Sequence, residues 1–285
     1  MKVIAGVEWS DDAFAAVEQL ALLYRPDEVT LAHGVDIGFF EYPIVAEAAN
    51  LQGYDIFRKA MFDAGCQALD RASMLLPSDI PPARKLCEFR KPARFVLDAA
   101  TSINADLIVV GTQGHSRMAE FVLSSVSHRI LLHATQPTLI VKGKAKPVAR
   151  ILVAVEGRDD ARRIGEWLTA HPFRQPVEAT VLTVVPSIPM VELERMGGFE
   201  AWSEGLMKQA EATAKSCAES LRPPHFMASS MIRKGEPAAV IAEQAKSFDL
   251  LVAVSHGRKG LDRFLLGNVS HAIVHRAPCS VLVIR

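Results

Sequence analysis

"DLLVAVSHGRKGLDRFLLGNVSHAIVHRAPCSVLVI", residues 249–284, begins with a short apolar run, passes through a glycine-bearing loop and an amphipathic stretch, and ends in a second apolar run. A β-branched run of this length bounded by turn formers reads as a buried strand, and the stretch between the two runs is long enough for a helix. The segment therefore reads as strand, loop, helix, strand, which is one parallel βαβ unit. The same text is written earlier. "DLIVVGTQGHSRMAEFVLSSVSHRILLHATQPTLIV", residues 106–141, aligns on it without gaps and is identical at 12 of 36 positions, where ordinary residue usage would give about two.

Working outward, "VIAGVEWSDDA" from Val3 matches "ILVAVEGRDDA" from Ile151, and "KPARFVLDAA" around Pro92 matches "EPAAVIAEQA" around Pro237. The chain is one domain written twice, joined near "KGKAKPVAR" at 142–150, and domains of 1–145 and 146–285 are expected. Each copy reads β-α-β-α-β-α-β-α-β. The first has strands near 2–7, 28–34, 84–89, 107–111 and 138–141; the second has them near 150–155, 178–184, 228–233, 250–254 and 280–284. Their apolar character on both faces suits strands covered by helices on each side. Long helices are expected near 54–76 and 199–221, each after a stretch rich in Pro, Gly and aromatic residues that differs most between the copies.

Composition narrows the classes. With 285 residues, 49% of them apolar, the chain can bury two sizeable cores, and its 32 basic residues balance its 32 acidic ones. No overall field recruits nucleic acid or anionic lipid, so neither is an expected partner. No run approaches the roughly 20 apolar residues of a membrane span, and a cytoplasmic location is expected. Cys66, Cys87, Cys217 and Cys279 stand far apart without C-x-x-C spacing, which suits reduced thiols better than a disulfide frame or a zinc site. His271 and His275, four apart, would share a helix face, but no third ligand is identifiable and no metal site is expected.

In an open parallel sheet, ligands bind beyond the carboxyl ends of the strands, where a helix start can hold phosphate on its free amides. Two loops per copy qualify. One follows the first strand and carries Glu8 or Glu156, then Asp11 and Asp12 or Asp159 and Asp160. The other follows the fourth strand and carries the glycines.

The pattern G-x-x-G, nine residues, then G-(S/T), set between a "DLIVVG" strand and a final apolar strand, resembles that of the universal stress protein family, and the likeness runs through nearly all of both halves. It implies two tandem Rossmann-like (adenine nucleotide alpha hydrolase-like) α/β domains. Each would be a five-stranded parallel sheet of order 3-2-1-4-5 flanked by helices, with the last strands joining the halves into an intrachain pseudo-dimer; association into a homodimer is a further expectation. It also implies ATP, with its associated magnesium, between the first-strand and fourth-strand loops. The residues this assigns in the second half are Glu156, Val184, Ser255, His256, Gly257, Arg258, Gly260, Gly267, Asn268, Val269 and Ser270. Those in the first half are Glu8, Gly34, Gly111, Thr112, Gly114, Ser124, Ser125 and Ser127.

Both halves depart from the pattern. Ser124 replaces the third glycine in the first, where Arg117 stands opposite Gly260 and, with His115, offers positive charge. Val254 replaces the first glycine in the second, where its side chain would crowd ribose or phosphate, and Asn268 replaces the hydroxyl residue and is expected to cap the helix. The expected function is a stress-response protein that uses an adenine nucleotide, chiefly in the second half, to bias a surface for a protein partner. The alternatives are a nucleotide-free scaffold and, with no recognised nucleophile–base arrangement, a slow ATPase or hydrolase built on Glu8 or Glu156.

Overall fold

A computed structural model describes residues 1–36, 38–47, 53–112, 123–187, 199–255 and 267–285. The chain divides into two compact units, Met1–Lys146 and Pro147–Arg285. In the first unit the elements run β1 (Lys2–Gly6), α1 (Asp11–Leu23), β2 (Glu28–Gly34), a 3-10 turn at Gly38–Glu41, α2 (Pro43–Glu47), α3 (Tyr54–Met74), β3 (Arg84–Glu88), α4 (Pro92–Ser102), β4 (Leu107–Gly111), α5 (Ser125–His133) and β5 (Thr138–Val141). In the second they run β6 (Arg150–Ala154), α6 (Arg158–Ala170), β7 (Val177–Pro186), α7 (Phe199–Ser220), β8 (Phe226–Gly235), α8 (Pro237–Ala245), β9 (Leu250–Val254), α9 (Asn268–Arg276) and β10 (Ser280–Ile284).

The strands of the first unit lie in the order β3-β2-β1-β4-β5 and those of the second in the order β8-β7-β6-β9-β10. All neighbours within a unit are parallel. The winding reverses beside β1 and β6, so the loops after the first and fourth strands of each unit flank one crevice. The aspartate that opens each fourth-strand motif fixes this junction. Asp106 accepts the Lys2 amide at 2.7 Å, and Asp249 accepts the Ala149 and Arg150 amides at 3.1 and 3.0 Å, which ties the two central strands together at their starts.

Residues 3–5 and 107–110, 151–153 and 250–254 are buried throughout, as central strands covered on both faces must be. Pro92 and Pro237 start α4 and α8, where a missing amide costs nothing. β7 and β8 are longer than their sequence reading, each spanning ten residues paired in continuous register from Val177–Phe226 to Pro186–Gly235. The added residues are Val177, Val185 and Pro186 in β7 and Phe226, Met227, Lys234 and Gly235 in β8, and the continuous backbone pairing carries the two strands past the runs that patterning marks. Among the described residues no helix is long and apolar enough to cross a membrane. Burial and the Asp160 carboxylate push the Cys217 thiol up to about 12, and burial and the neighbouring Cys66 do the same for Cys87. Both are protonated at neutral pH and are poor nucleophiles.

Candidate functional site

In the second unit a cleft of about 320 Å³ opens at the carboxyl ends of β6, β7 and β9, between α7 on one side and α8 and α9 on the other. Its surface is mostly aliphatic, contributed by Val155, Val185, Leu206, Ile241 and Ile273 among others, with Glu156, Asp160, Thr183, Gln209, Thr213 and Ser270 as its polar groups. In the first unit the matching cleft measures about 450 Å³ and is lined by Glu8, Trp9, His33, Gly34, Gly111, Ser124 and Ser127. Beside it, along α4 and α5, lies a groove of about 630 Å³ carrying Lys91, Arg94, Arg129 and His133 together with Asp36 and Asp98.

Of the residues assigned by resemblance, Glu156, Val184, Val269 and Ser270 meet in the second cleft. Ser255, Gly267 and Asn268 do not line it. The Ser255 hydroxyl instead accepts a hydrogen bond from the Arg285 guanidinium at 2.9 Å, and burial lowers that guanidinium to about 10. In the first unit, Glu8, Gly34, Gly111, Ser124 and Ser127 meet in the cleft. Ser125 lines the groove along α4 and α5, and the Thr112 hydroxyl donates to Asp12 Oδ2 at 2.9 Å. His256, Gly257, Arg258 and Gly260, with Gly114, His115 and Arg117, lie outside the described residues.

The cap of α9 stands one residue earlier than expected. Gly267, not Asn268, occupies the N-cap of α9, and Asn268 is its first helical residue. With no side chain at the cap, no protein group bonds the first amides of α9 from that position. In the first unit Ser124 occupies the same place and its Oγ accepts the Ser127 amide at 3.1 Å, so that helix start is closed by its own hydroxyl. The following serines are structural in both copies. Ser127 Oγ donates to the Gly111 carbonyl at 2.6 Å and Ser270 Oγ to the Val254 carbonyl at 2.8 Å, which holds each helix to the end of its strand.

Gly111 and Val254 differ for a packing reason. A Cβ at Gly111 would stand 2.5 Å from the Asp12 carbonyl oxygen and 2.6 Å from its carbon. Its missing side chain therefore lets the start of α1 press against the end of β4. In the second unit α6 begins one residue sooner relative to its strand, at Arg158 rather than the counterpart of Asp11, and Asp160 turns back to accept the Glu156 amide at 3.1 Å. Val254 fits under this rearranged loop, buried and forming part of the cleft surface.

Sequence reasoning missed the polar groups deep in each cleft. His33 and Thr183 occupy the same position, since Glu28 pairs with Lys2 as Glu178 pairs with Arg150. His33 Nδ1 lies 2.8 Å from the Val7 carbonyl, which makes it the donor in the neutral ring. Burial holds the imidazole below its ordinary value, with the Val7 contact opposing the shift. As pH falls into the ordinary imidazole range, the unfolded chain thus takes up a proton before the folded one does, and stability falls as pH drops through about 6.5. We expect the melting temperature of the first unit to decline between pH 7.5 and 5.5, and less steeply in His33→Gln, as read by thermal denaturation.

Two tandem, doubly wound parallel α/β units, each with a cleft at the switch point of its sheet, define the class of fold to which this chain conforms. The universal stress protein family model matches residues 1–142 and again 147–285, and the chain belongs to that family. A universal stress protein of Mycobacterium tuberculosis is 27% identical over 299 residues, covering 99% of this chain and 96% of its own. One from Mycolicibacterium smegmatis is 30% identical over 209 residues, covering 70% of this chain and 68% of its own. The crystal structure of a universal stress protein from Archaeoglobus fulgidus is similar in fold, with a TM-score of 0.64 at 16% identity, and covers 99% of this chain and 98% of that one.

Proposed function

We propose that the chain is a cytosolic regulatory protein that binds ATP or a related adenine nucleotide in the cleft of its second unit and signals occupancy to a protein partner. The observation that carries this reading is the start of α9. Gly267 leaves its first amides without a side-chain cap, beside a mostly aliphatic cleft large enough for a heterocycle. Free amides at a helix start favour a phosphate both as donors and through the helix dipole. The amides of Asn268 and Val269 would hold the phosphate end, with any magnesium carried by the phosphates, while the aliphatic walls would exclude water from the other end. The first unit differs because Ser124 closes its own helix start, and this favours a scaffold role for that half.

Binding rather than turnover is proposed. Calorimetric titration of ATP into protein freed of endogenous ligand should give saturable heat, and a hundredfold excess over the dissociation constant should stabilise the fold by about 2.7 kcal/mol. Neither heat nor stabilisation at millimolar ATP would refute the reading.

A further inference from the structure

We infer that Thr183 is the residue of the second cleft that reads the heterocycle of its ligand. Thr183 is 3% exposed and contributes to the cleft surface. Its Oγ1 is buried and has no hydrogen-bond partner among the described residues. A buried hydroxyl left unsatisfied destabilises the fold, and valine would fill the same volume without that penalty. A hydroxyl kept here at the cost of stability points to a partner that arrives with the ligand. Gln209 and Thr213 face the same cleft from successive turns of α7, so Thr183 belongs to a small polar group in an otherwise aliphatic slot. Ligand pockets commonly fix orientation in this way.

The sheet determines which end of the ligand Thr183 meets. Leu182 of β7 and Ala253 of β9 both stand opposite Ala154 of β6, so Thr183 and Val254 lie one step further along on either side of the central strand. Two strand spacings separate them, roughly 10 Å. The start of α9 is tied to the Val254 carbonyl by Ser270 at 2.8 Å. A ligand whose phosphate meets α9 therefore presents its opposite end to Thr183. The first unit carries a different group at this place, His33, whose Nδ1 donates to the Val7 carbonyl and whose ring packs against Gly65.

This inference rests on the adenine-nucleotide reading, and the test separates the two. Thr183→Val and Thr183→Ser are compared with wild type by titrating adenosine and ATP, and by melting the ligand-free proteins. Thr183→Val should melt no lower than wild type yet lose about tenfold in affinity for both ligands alike, about 1.4 kcal/mol. Thr183→Ser, which keeps the hydroxyl, should retain most of the affinity. Undiminished binding of both ligands by Thr183→Val would overturn this inference and leave the nucleotide site standing. Loss of ATP binding without loss of adenosine binding would put the hydroxyl at the phosphate end and overturn it too. A wild-type protein that binds neither ligand would overturn the nucleotide reading, and this inference with it.

Discussion

Replacing Gly111 by valine is expected to destabilise the first unit by about 2–4 kcal/mol and to lower its melting transition by roughly 5–15 °C. The first side-chain carbon would meet three backbone atoms, the Asp12 oxygen at 2.5 Å, the Asp12 carbon at 2.6 Å and the Ala13 nitrogen at 3.0 Å. Backbone cannot rotate away as a flexible side chain can, so α1 must move off the end of β4. That movement also breaks the hydrogen bond from Thr112 to Asp12. The second unit provides the control, since Val254 stands at the same place and is accommodated by an earlier helix start. Chemical denaturation of each variant, followed through Trp9 in the first unit and Trp167 or Trp202 in the second, reads the effect. An unchanged first transition would show that α1 is not held by this contact.

Gly267→Asp is expected to weaken ATP binding by 100-fold or more, an estimate of about 3 kcal/mol from placing a carboxylate where a phosphate would sit. Gly267 has φ −63° and ψ 155°, extended backbone that any residue adopts, so the substitution introduces no strain. The aspartate would cap α9 as Glu236 caps α8, where its carboxylate accepts the Ala238 and Ala239 amides at 3.1 and 2.6 Å. The ligand-free variant should therefore melt at or slightly above the wild-type temperature. Affinity for adenosine, which carries no phosphate, should change little. Calorimetry with both ligands measures this, and ATP binding at wild-type strength would remove α9 from the phosphate site.

Much of the architecture is legible in the linear pattern of residues. The duplication, the alternation of apolar runs with helical stretches and the prolines at 92 and 237 follow from local chemistry, because strand burial and helix starts leave periodic and positional marks. The ends of β7 and β8 were not legible. They are set by ten consecutive pairings between the two strands, a non-local property that ends at Pro186 and Gly235, where a linear reading has no marker of how far the partner strand runs.

The clefts divide in the same way. The amino-acid sequence alone determined that two related loops per copy would flank a crevice, and that Ser124 and Gly267 would distinguish the copies, since these are properties of a repeated pattern. Tertiary structure decided what those differences do. Asn268 looks like a helix cap in a linear reading, yet the cap is Gly267, because the helix starts where Ser270 can reach the Val254 carbonyl. Gly111 looks like a phosphate cradle, yet its bare α-carbon accommodates the backbone of Asp12, 99 positions away in sequence. Thr183 gives no local signal at all. Only the parallel order of β7, β6 and β9 brings Thr183 into one cleft with Gln209 and Thr213, two strands away from Val254, to which α9 is tied.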